Sequence, residues 1–391
     1  MNQMCTDSNR GKNILYVITS SGIGGSEQNL YQLAVWMRNW GFHVWVCCLR
    51  EGGIIAQRLE KAGISVTCFN EGERPTIPEV CRSILKLRRV ICENKIDLVH
   101  SFLLRANIET RLAKKFCRRR FVLINSERGI NYRNPRTASF LDKFATQGCD
   151  LFLTNSEAVK NSLLARKHIP AAKIKTVYSG VDTAKFRPSR VDDSELRSVR
   201  PMQSNGKVIG YVGRLHPEKG VRDLIEAIYL VRKQMEDCRL VIVGDGSEAS
   251  HLRELVKKRQ LENQVSFLGV REDIAGVLTM FDILVLPSLE EGFPTIVLEA
   301  LASGVPVVAT AVGGTPEIIE HQKTGLLVPS EDACQLSDAI MQLLRDETLR
   351  KRLVQNGRML IDIKFKSDRL FQDILKIYHD TLSHLVSLGT V

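Results

Sequence analysis

Short apolar runs alternate with longer amphipathic stretches through most of the chain, a pattern that predicts βα units assembled into parallel sheets. The first series places strands near 13–19, 43–49, 64–69, 97–101, 121–125, 150–154 and 174–178, with helices between most of them. The pattern restarts at KVIGYVG (207–213) and continues near 239–243, 265–268, 282–287, 305–309 and 326–328. After Pro329 the periodicity is helical to the end. Between the series, 182–206 carries Pro188, Pro201, Asp192, Asp193 and several serines but no apolar periodicity, as a linker does. The expected fold class is α/β, with two Rossmann-like domains. A leader spans 1–11, the first domain 12–190, the linker 191–206 and the second domain 207–365, and a helix over 366–391 packs back on the first domain.

Composition refines this picture. The 391 residues are 44% hydrophobic and 25% charged, a globular balance in which only the polar leader is expected to be disordered. The ten cysteines show neither CxxC nor Cys/His ligand spacing, so neither a zinc site nor a disulfide framework is expected. The leader lacks a signal-peptide pattern and no apolar run reaches membrane-spanning length, which makes a reducing cytoplasmic compartment the expectation.

Charge is unevenly distributed. Residues 1–190 hold 31 Lys and Arg against 15 Asp and Glu, a net of +16, whereas 191–391 hold 24 against 29, a net of −5, together giving the +11 of the whole chain. Basic runs include Arg82, Lys86, Arg88 and Arg89, then Lys114, Lys115, Arg118, Arg119 and Arg120. Arg82, Lys86 and Arg89 share one helical face, which reads either as a solvated surface or as a patch for an anionic acceptor or the inner face of a membrane. Nucleic acid is not expected as a partner, because Phe116 is the only aromatic within these runs and no recognition motif appears.

The most informative stretch is PSLEEGFPTIVLEALASGVPVVAT, residues 287–310. Pro294 suits the first position of a helix, leaving the amides around Gly292, Phe293 and Thr295 to face a ligand. Glu291 precedes that helix and Glu299 lies on it, so both carboxylates can border a pocket at the carboxyl end of a parallel strand. A carboxylate accepts hydrogen bonds from paired hydroxyls, so the pair suits a sugar ring and a ribose; it also suits plain stabilisation of a helix start.

This stretch resembles the signature of glycosyltransferase family 4, the retaining group 1 glycosyltransferases of the GT-B fold, in which two glutamates are separated by seven residues. The match runs through Pro287, Ser288, Glu291, Gly292, Phe293, Pro294, Leu298, Glu299, Ala300, Gly304, Pro306, Val307 and Val308, and on to GGTPE at 313–317. The resemblance implies that Glu291 contacts the donor sugar near the reacting carbon and that Glu299 holds the ribose. GYVGRLHPEKG (210–220) is similar to the family's diphosphate site, with Arg214 as a planar fork and Lys219, in an expected first helical turn, as a point charge. VIVGDGSE (241–248) is similar to segments lining the nucleotide pocket; Gly244 and Gly246 serve the turn, and Asp245 or Ser247 either caps the next helix or meets the ligand. FLGVRED (267–273) resembles the segment that holds the base through backbone groups around Val270.

At the start of the chain, TSSGIGGSEQN (19–29) follows the first strand and opens a helix, with Gly22, Gly24 and Gly25 permitting close approach of a ligand. It is not a dinucleotide fingerprint, because Glu27 stands where the third glycine would be. By resemblance, this loop faces the donor phosphates and the acceptor. His100, read as the end of a strand, and Arg128, after the next strand, are candidate acceptor or sugar contacts; many relatives carry a histidine where Arg128 stands.

The chain contains no Asp-x-Asp pair, so the expectation is a metal-independent reaction without a cofactor, in which cationic side chains stabilise the departing diphosphate. The resemblance then implies transfer of a hexose from a nucleotide-diphosphate sugar, most simply a UDP- or GDP-sugar, to a glycan or lipid-linked acceptor of the cell envelope, such as a lipopolysaccharide precursor. A nucleotide-sugar epimerase, an NAD-dependent dehydrogenase and a non-catalytic sugar-nucleotide binder are the alternatives.

Overall fold

The computed structural model describes residues 11–22, 24–73, 75–130, 146–166, 168–188 and 206–387. Two compact units divide the chain, Met1–Tyr178 with Leu370–Val391 and Ser179–Arg369.

In the first unit, strands β1 (Asn13–Ile18), β2 (His43–Cys48), β3 (Ser65–Cys68), β4 (Leu98–Phe102), β5 (Val122–Glu127), β6 (Leu151–Thr154) and β7 (Ile174–Thr176) form one sheet in the order β3-β2-β1-β4-β5-β6-β7. Every pairing in it is parallel, with Ile14 of β1 level with Val44 of β2 and Leu98 of β4. β1, β4, β5 and β6 are buried almost throughout, which is why they read as continuous apolar runs rather than as alternating ones. Helices Gly25–Asn39 and Ile54–Lys61 cover one face, and Ile77–Glu93, Leu104–Phe116 and Glu157–Leu164 the other. The helix at 77 starts at a capping box between Thr76 and Glu79, and the one at 157 at Ser156, whose hydroxyl accepts from the Val159 amide.

The chain returns to this unit in its last helix, Ser367–Ser387, where Phe371, Ile374, Ile377, Tyr378 and Leu382 recur at helical spacing and enter the core beside β1 and the helix at 25. The Tyr378 hydroxyl lies 2.5 Å from His100 Nδ1, and His100 Nε2 lies 2.8 Å from Ser126 Oγ. His100 is therefore not at the end of its strand, as its sequence suggests, but in the middle of β4, fully buried with both ring nitrogens engaged. Burial pushes its pKa down to about 3, helped by the charge of Arg128, so the ring is neutral at physiological pH. It fastens the C-terminal helix and presents nothing to an acceptor. Tyr378→Phe leaves the buried His100 Nδ1 without a partner, and thermal unfolding should fall by about 2–4 °C. Transfer rates measured well below the new midpoint should stay within about twofold of wild type; a larger kinetic defect would contradict a purely structural role.

In the second unit, β8 (Lys207–Val212), β9 (Cys238–Val243), β10 (Val265–Phe267), β11 (Ile283–Leu286), β12 (Val307–Thr310) and β13 (Leu326–Val328) form an all-parallel sheet in the order β10-β9-β8-β11-β12-β13. Helices Val221–Arg232, Ala249–Lys258 and Ala333–Arg345 bury one face of it. Thr295–Ser303 packs on the other, and Glu347–Lys364 reaches both cores, through Leu349 and Leu353 on one side and Ile361 on the other.

The boundary between the units lies earlier than the composition suggests. Val181 and Phe186 are buried in the second core, and Val181 exchanges backbone hydrogen bonds with Phe365 and Ser367, at 2.8 and 3.0 Å. Residues 179–188 thus belong to the second unit, although their sequence has no apolar period. The expected linker lies outside the described residues apart from residue 206, as does the leader apart from residue 11.

Candidate functional site

In both sheets the first strand sits between the second strand and a later one, β1 between β2 and β4, and β8 between β9 and β11. At such a switch point the loops at the carboxyl ends diverge and leave a crevice, where open α/β sheets take their ligands. In the second unit the two loops concerned are 213–220 after β8 and 287–294 after β11. These hold most of the motif residues.

The two loops are joined directly. Lys219 Nζ donates to Glu291 Oε1 at 2.7 Å, and Ser288 Oγ donates to the same oxygen at 2.8 Å. The Lys219 and Glu291 side chains are 16% and 10% exposed, so the pair is nearly sequestered while remaining open at one side. No described residue bonds the second carboxylate oxygen of Glu291 through its side chain. The backbone strengthens the junction, since the Leu289 amide donates to Glu218 and the Gly314 amide of the GGTPE segment donates to Glu291. Lys219 does not lie in a first helical turn as expected. It closes the short 3-10 turn Pro217–Lys219, and the helix begins at Val221 after Gly220 in the left-handed conformation. A Cβ on Gly220 would fall 2.1 Å from the Pro287 carbonyl, so only glycine lets the two loops approach closely enough to form the ion pair.

Arg214 is placed differently. Its side chain is 71% exposed and pairs with Glu218 at 3.0 Å instead of turning toward Glu291. The link between them is Tyr211, fully buried on β8, whose hydroxyl donates to the Arg214 carbonyl at 2.9 Å. Burial drives the Tyr211 pKa far up, Glu291 adds to the shift and Arg214 opposes it, so all three groups share one electrostatic neighbourhood.

Glu299 is on the helix Thr295–Ser303, which starts one residue later than its sequence suggests, with Pro294 as N-cap and not first helical residue. The first amides of this helix, at Thr295 and Ile296, project beyond its start beside Gly292 and the buried Phe293. Burial raises the Glu299 carboxyl from 4.5 to about 7, although part of the residue remains exposed, and the charge that opposes the shift is Lys185 rather than Arg214 or Lys219. Lys219 and Glu291 are thus in contact, Arg214 stands beside them, and Glu299 forms a separate acidic position one helical segment away.

The residues expected around the nucleotide form a rim. The Gly213 amide donates to Val243, Leu215 to Asp245, Glu248 to Leu215 and Gly244 to Gly269, which ties together the loops after β8, β9 and β10. Gly244 has φ +134°, and a Cβ there would lie 1.9 Å from the Gly213 carbonyl. Neither Asp245 nor Ser247 caps the following helix, because Glu248 holds the N-cap position and the Asp245 carboxylate accepts from the Gly246 amide. Val270 is 58% exposed at the edge of the rim.

In the first unit, Gly24 is the N-cap of the helix starting at Gly25. Glu27 folds back over Gly24 and accepts from Ser20 Oγ at 2.9 Å. Arg128 follows β5, half-buried; burial lowers its pKa to about 10 and Glu27 opposes the shift. Glu27 and Arg128 thus share an electrostatic neighbourhood at the carboxyl end of this sheet.

Sequence reasoning overlooked three contributors. Ser288 stands inside the recognised string, and its place three residues before Glu291 was the available signal. Tyr211 reads as an ordinary strand residue. Lys185 falls in a stretch without periodicity, and no feature of the sequence ties it to Glu299.

Comparison with known proteins gives the class to which this geometry belongs. A family model described as Glycosyl transferases group 1 matches residues 192–359, and one described as Glycosyltransferase Family 4 matches residues 23–185. The chain belongs to this family and is a glycosyltransferase with two Rossmann-like domains of the GT-B type. It is 29% identical over 304 residues to the N-acetyl-alpha-D-glucosaminyl L-malate synthase of Bacillus anthracis, covering 76% of this chain and 78% of that protein. It is 26% identical over 292 residues to the UDP-Gal:alpha-D-GlcNAc-diphosphoundecaprenol alpha-1,3-galactosyltransferase of Escherichia coli, covering 70% and 75%. In fold it is similar to the crystal structure of Anabaena Alr3699/HepE in complex with UDP and glucose, with a TM-score of 0.80 over 94% of this chain and 100% of that one at 24% identity.

Proposed function

We propose that this glycosyltransferase moves a hexose from a UDP- or GDP-sugar to a glycan or lipid-linked acceptor of the cell envelope, with retention of anomeric configuration and without a metal or other cofactor. The observation that carries this reading is the Lys219–Glu291 contact at the switch point of the second unit. In the free protein the carboxylate balances the ammonium, which is thereby held at the crevice. A bound diphosphate takes over as counter-ion for Lys219, with Arg214 turning from Glu218 to join it, and Glu291 then accepts hydrogen bonds from the hexose.

In the reaction the acceptor oxygen bonds to the anomeric carbon on the face from which the diphosphate departs. The bond from that carbon to the diphosphate breaks, its electron pair leaves with the phosphate, and a phosphate oxygen takes the acceptor proton. Lys219, Arg214 and the helix start at Gly292–Thr295 stabilise the charge growing on the leaving group. Glu299 holds the ribose hydroxyls, and the Gly244, Asp245 and Val270 rim surrounds the base. In the first unit, Gly24, Gly25 and Arg128 serve the acceptor.

The Escherichia coli relative, named for UDP-Gal and a diphosphoundecaprenol acceptor, supports the choice of donor type and of a lipid-linked acceptor. The test is to screen UDP- and GDP-hexoses for protection against thermal unfolding, then to follow transfer from the best donor to lipid-linked saccharides by proton NMR. A single donor should raise the unfolding midpoint, and its α-anomeric signal should persist in the product. An inverted anomer, or an epimerised sugar without acceptor, would refute the reading.

A further inference from the structure

The helix Ile77–Glu93 buries Ser83, Ile84, Leu87 and Ile91 against the first sheet. A flank of the helix outside that buried face presents an apolar strip at helical spacing, in which Ile77 is 81% and Leu85 60% exposed, with exposed Cys81 between them and exposed Cys92 a further two turns on. The strip continues onto the neighbouring helix Leu104–Phe116. Cys92 Sγ lies 3.6 Å from Cys117 Sγ, and the adjacent Phe116 is 62% exposed. Cations flank the strip, with exposed Arg82, Lys86 and Arg89 along the first helix, half-buried Arg88, and exposed Arg118 and Arg120 beyond the second. Of the two acids of the first helix, Glu79 is engaged in the capping box with Thr76 and Glu93 pairs with Arg89 at 2.7 Å, so Arg89 is offset and Arg82 and Arg88 carry the positive charge of this helix beside the strip.

We infer that this face docks on an anionic lipid bilayer, with Ile77, Leu85 and Phe116 entering the headgroup boundary while Arg82, Arg88, Arg118 and Arg120 meet lipid phosphates. Moving exposed apolar side chains of this size from water into the acyl boundary lowers the free energy, and the cations add an attraction that falls with salt. Nucleic acid fits the face poorly, because Ile77 and Leu85 offer no stacking surface and, among the described residues near these cations, Phe69 is buried and Phe116 is the exposed aromatic. The inference rests on the proposed transfer reading only in supplying the place where a lipid-linked acceptor is met. No helix among the described residues is long and apolar enough to cross a membrane, so docking of this kind acts from one side of the bilayer.

The experiment is co-sedimentation of the full chain with phosphatidylcholine vesicles, with and without phosphatidylglycerol, at low and high salt. Binding is expected only where phosphatidylglycerol is present, and should weaken as salt rises. Arg82→Glu with Arg120→Glu should lower the partition coefficient about tenfold or more, and Leu85→Glu should lower it severalfold at every salt concentration. The unfolding midpoint and the far-UV circular dichroism of the free variants should match those of the wild type, which shows that the substituted unit is folded. Absence of vesicle binding by the wild type, equal binding to both lipid compositions, or undiminished binding by the charge-reversed variant would each overturn the inference. Binding to duplex DNA that competes fully with vesicles would do the same. Turnover of donor in detergent-free solution is read separately, so a failed transfer reading remains distinguishable from a failed docking surface.

Discussion

Glu291→Gln should lower the transfer rate by about two to three orders of magnitude at saturating donor, with thermal stability close to that of the wild type. The amide oxygen still accepts from Lys219 and Ser288, so the loop geometry persists, whereas the negative charge proposed to face the hexose is gone. Lys219→Ala should reduce turnover to a similar degree by a different route, since the diphosphate leaves without its nearest cation. It should also lower the unfolding midpoint, because Glu291 is only 10% exposed and would keep a carboxylate without its ion partner. If both groups serve one transition state, the double variant should be far less damaged than the product of the two single losses. Stopped turnover assays of donor hydrolysis and transfer check all three variants, and additive losses would separate Lys219 from Glu291 functionally.

The second large effect concerns Glu299. Its folded pKa is raised from 4.5 to about 7 by burial, so between those values the folded protein keeps a proton that the unfolded chain has released. Stability therefore falls as pH rises through this window, and the cost is complete above pH 7. Glu299→Gln removes the cost, and the free variant should melt a few degrees above the wild type near pH 8 and level with it near pH 5. Ribose hydroxyls donate to a carboxylate better than to a carboxylic acid, so the donor selects the ionised form. Wild-type affinity for the nucleotide should consequently rise across the same window with release of a proton, visible by calorimetry in buffers of different ionisation enthalpy. The variant should lose that pH dependence and bind about ten- to a hundredfold more weakly. A variant that binds as tightly as the wild type would remove Glu299 from the nucleotide site.

Much of this architecture could be read in the chain. The thirteen strands among the described residues begin and end within a few residues of the apolar runs that announce them; the central ones are buried on both faces and leave an uninterrupted apolar signature, whereas the more exposed β3, β7 and β10 are short. The string at 287–310 likewise exposes its chemistry, since a strand, a turn and a helix start succeed one another without leaving the sequence window. His100 shows the limit of such reading. Its position near a strand end suggested a ligand contact, but the partner that claims its Nδ1 is Tyr378, 278 residues away.

The order of residues by itself determined the two α/β repeats, the switch-point loops and the types of side chain available there, because periodicity, turn chemistry and helix starts are local properties. Only the tertiary structure decided which of those side chains meet. Lys219 and Glu291 are brought to 2.7 Å by Gly220 packing on Pro287, Arg214 is left facing Glu218, and Lys185 is carried beside Glu299 by a segment with no periodic pattern. Charge pairing and desolvation depend on distances between segments far apart in the chain, and those distances are set by the packing of whole sheets and helices.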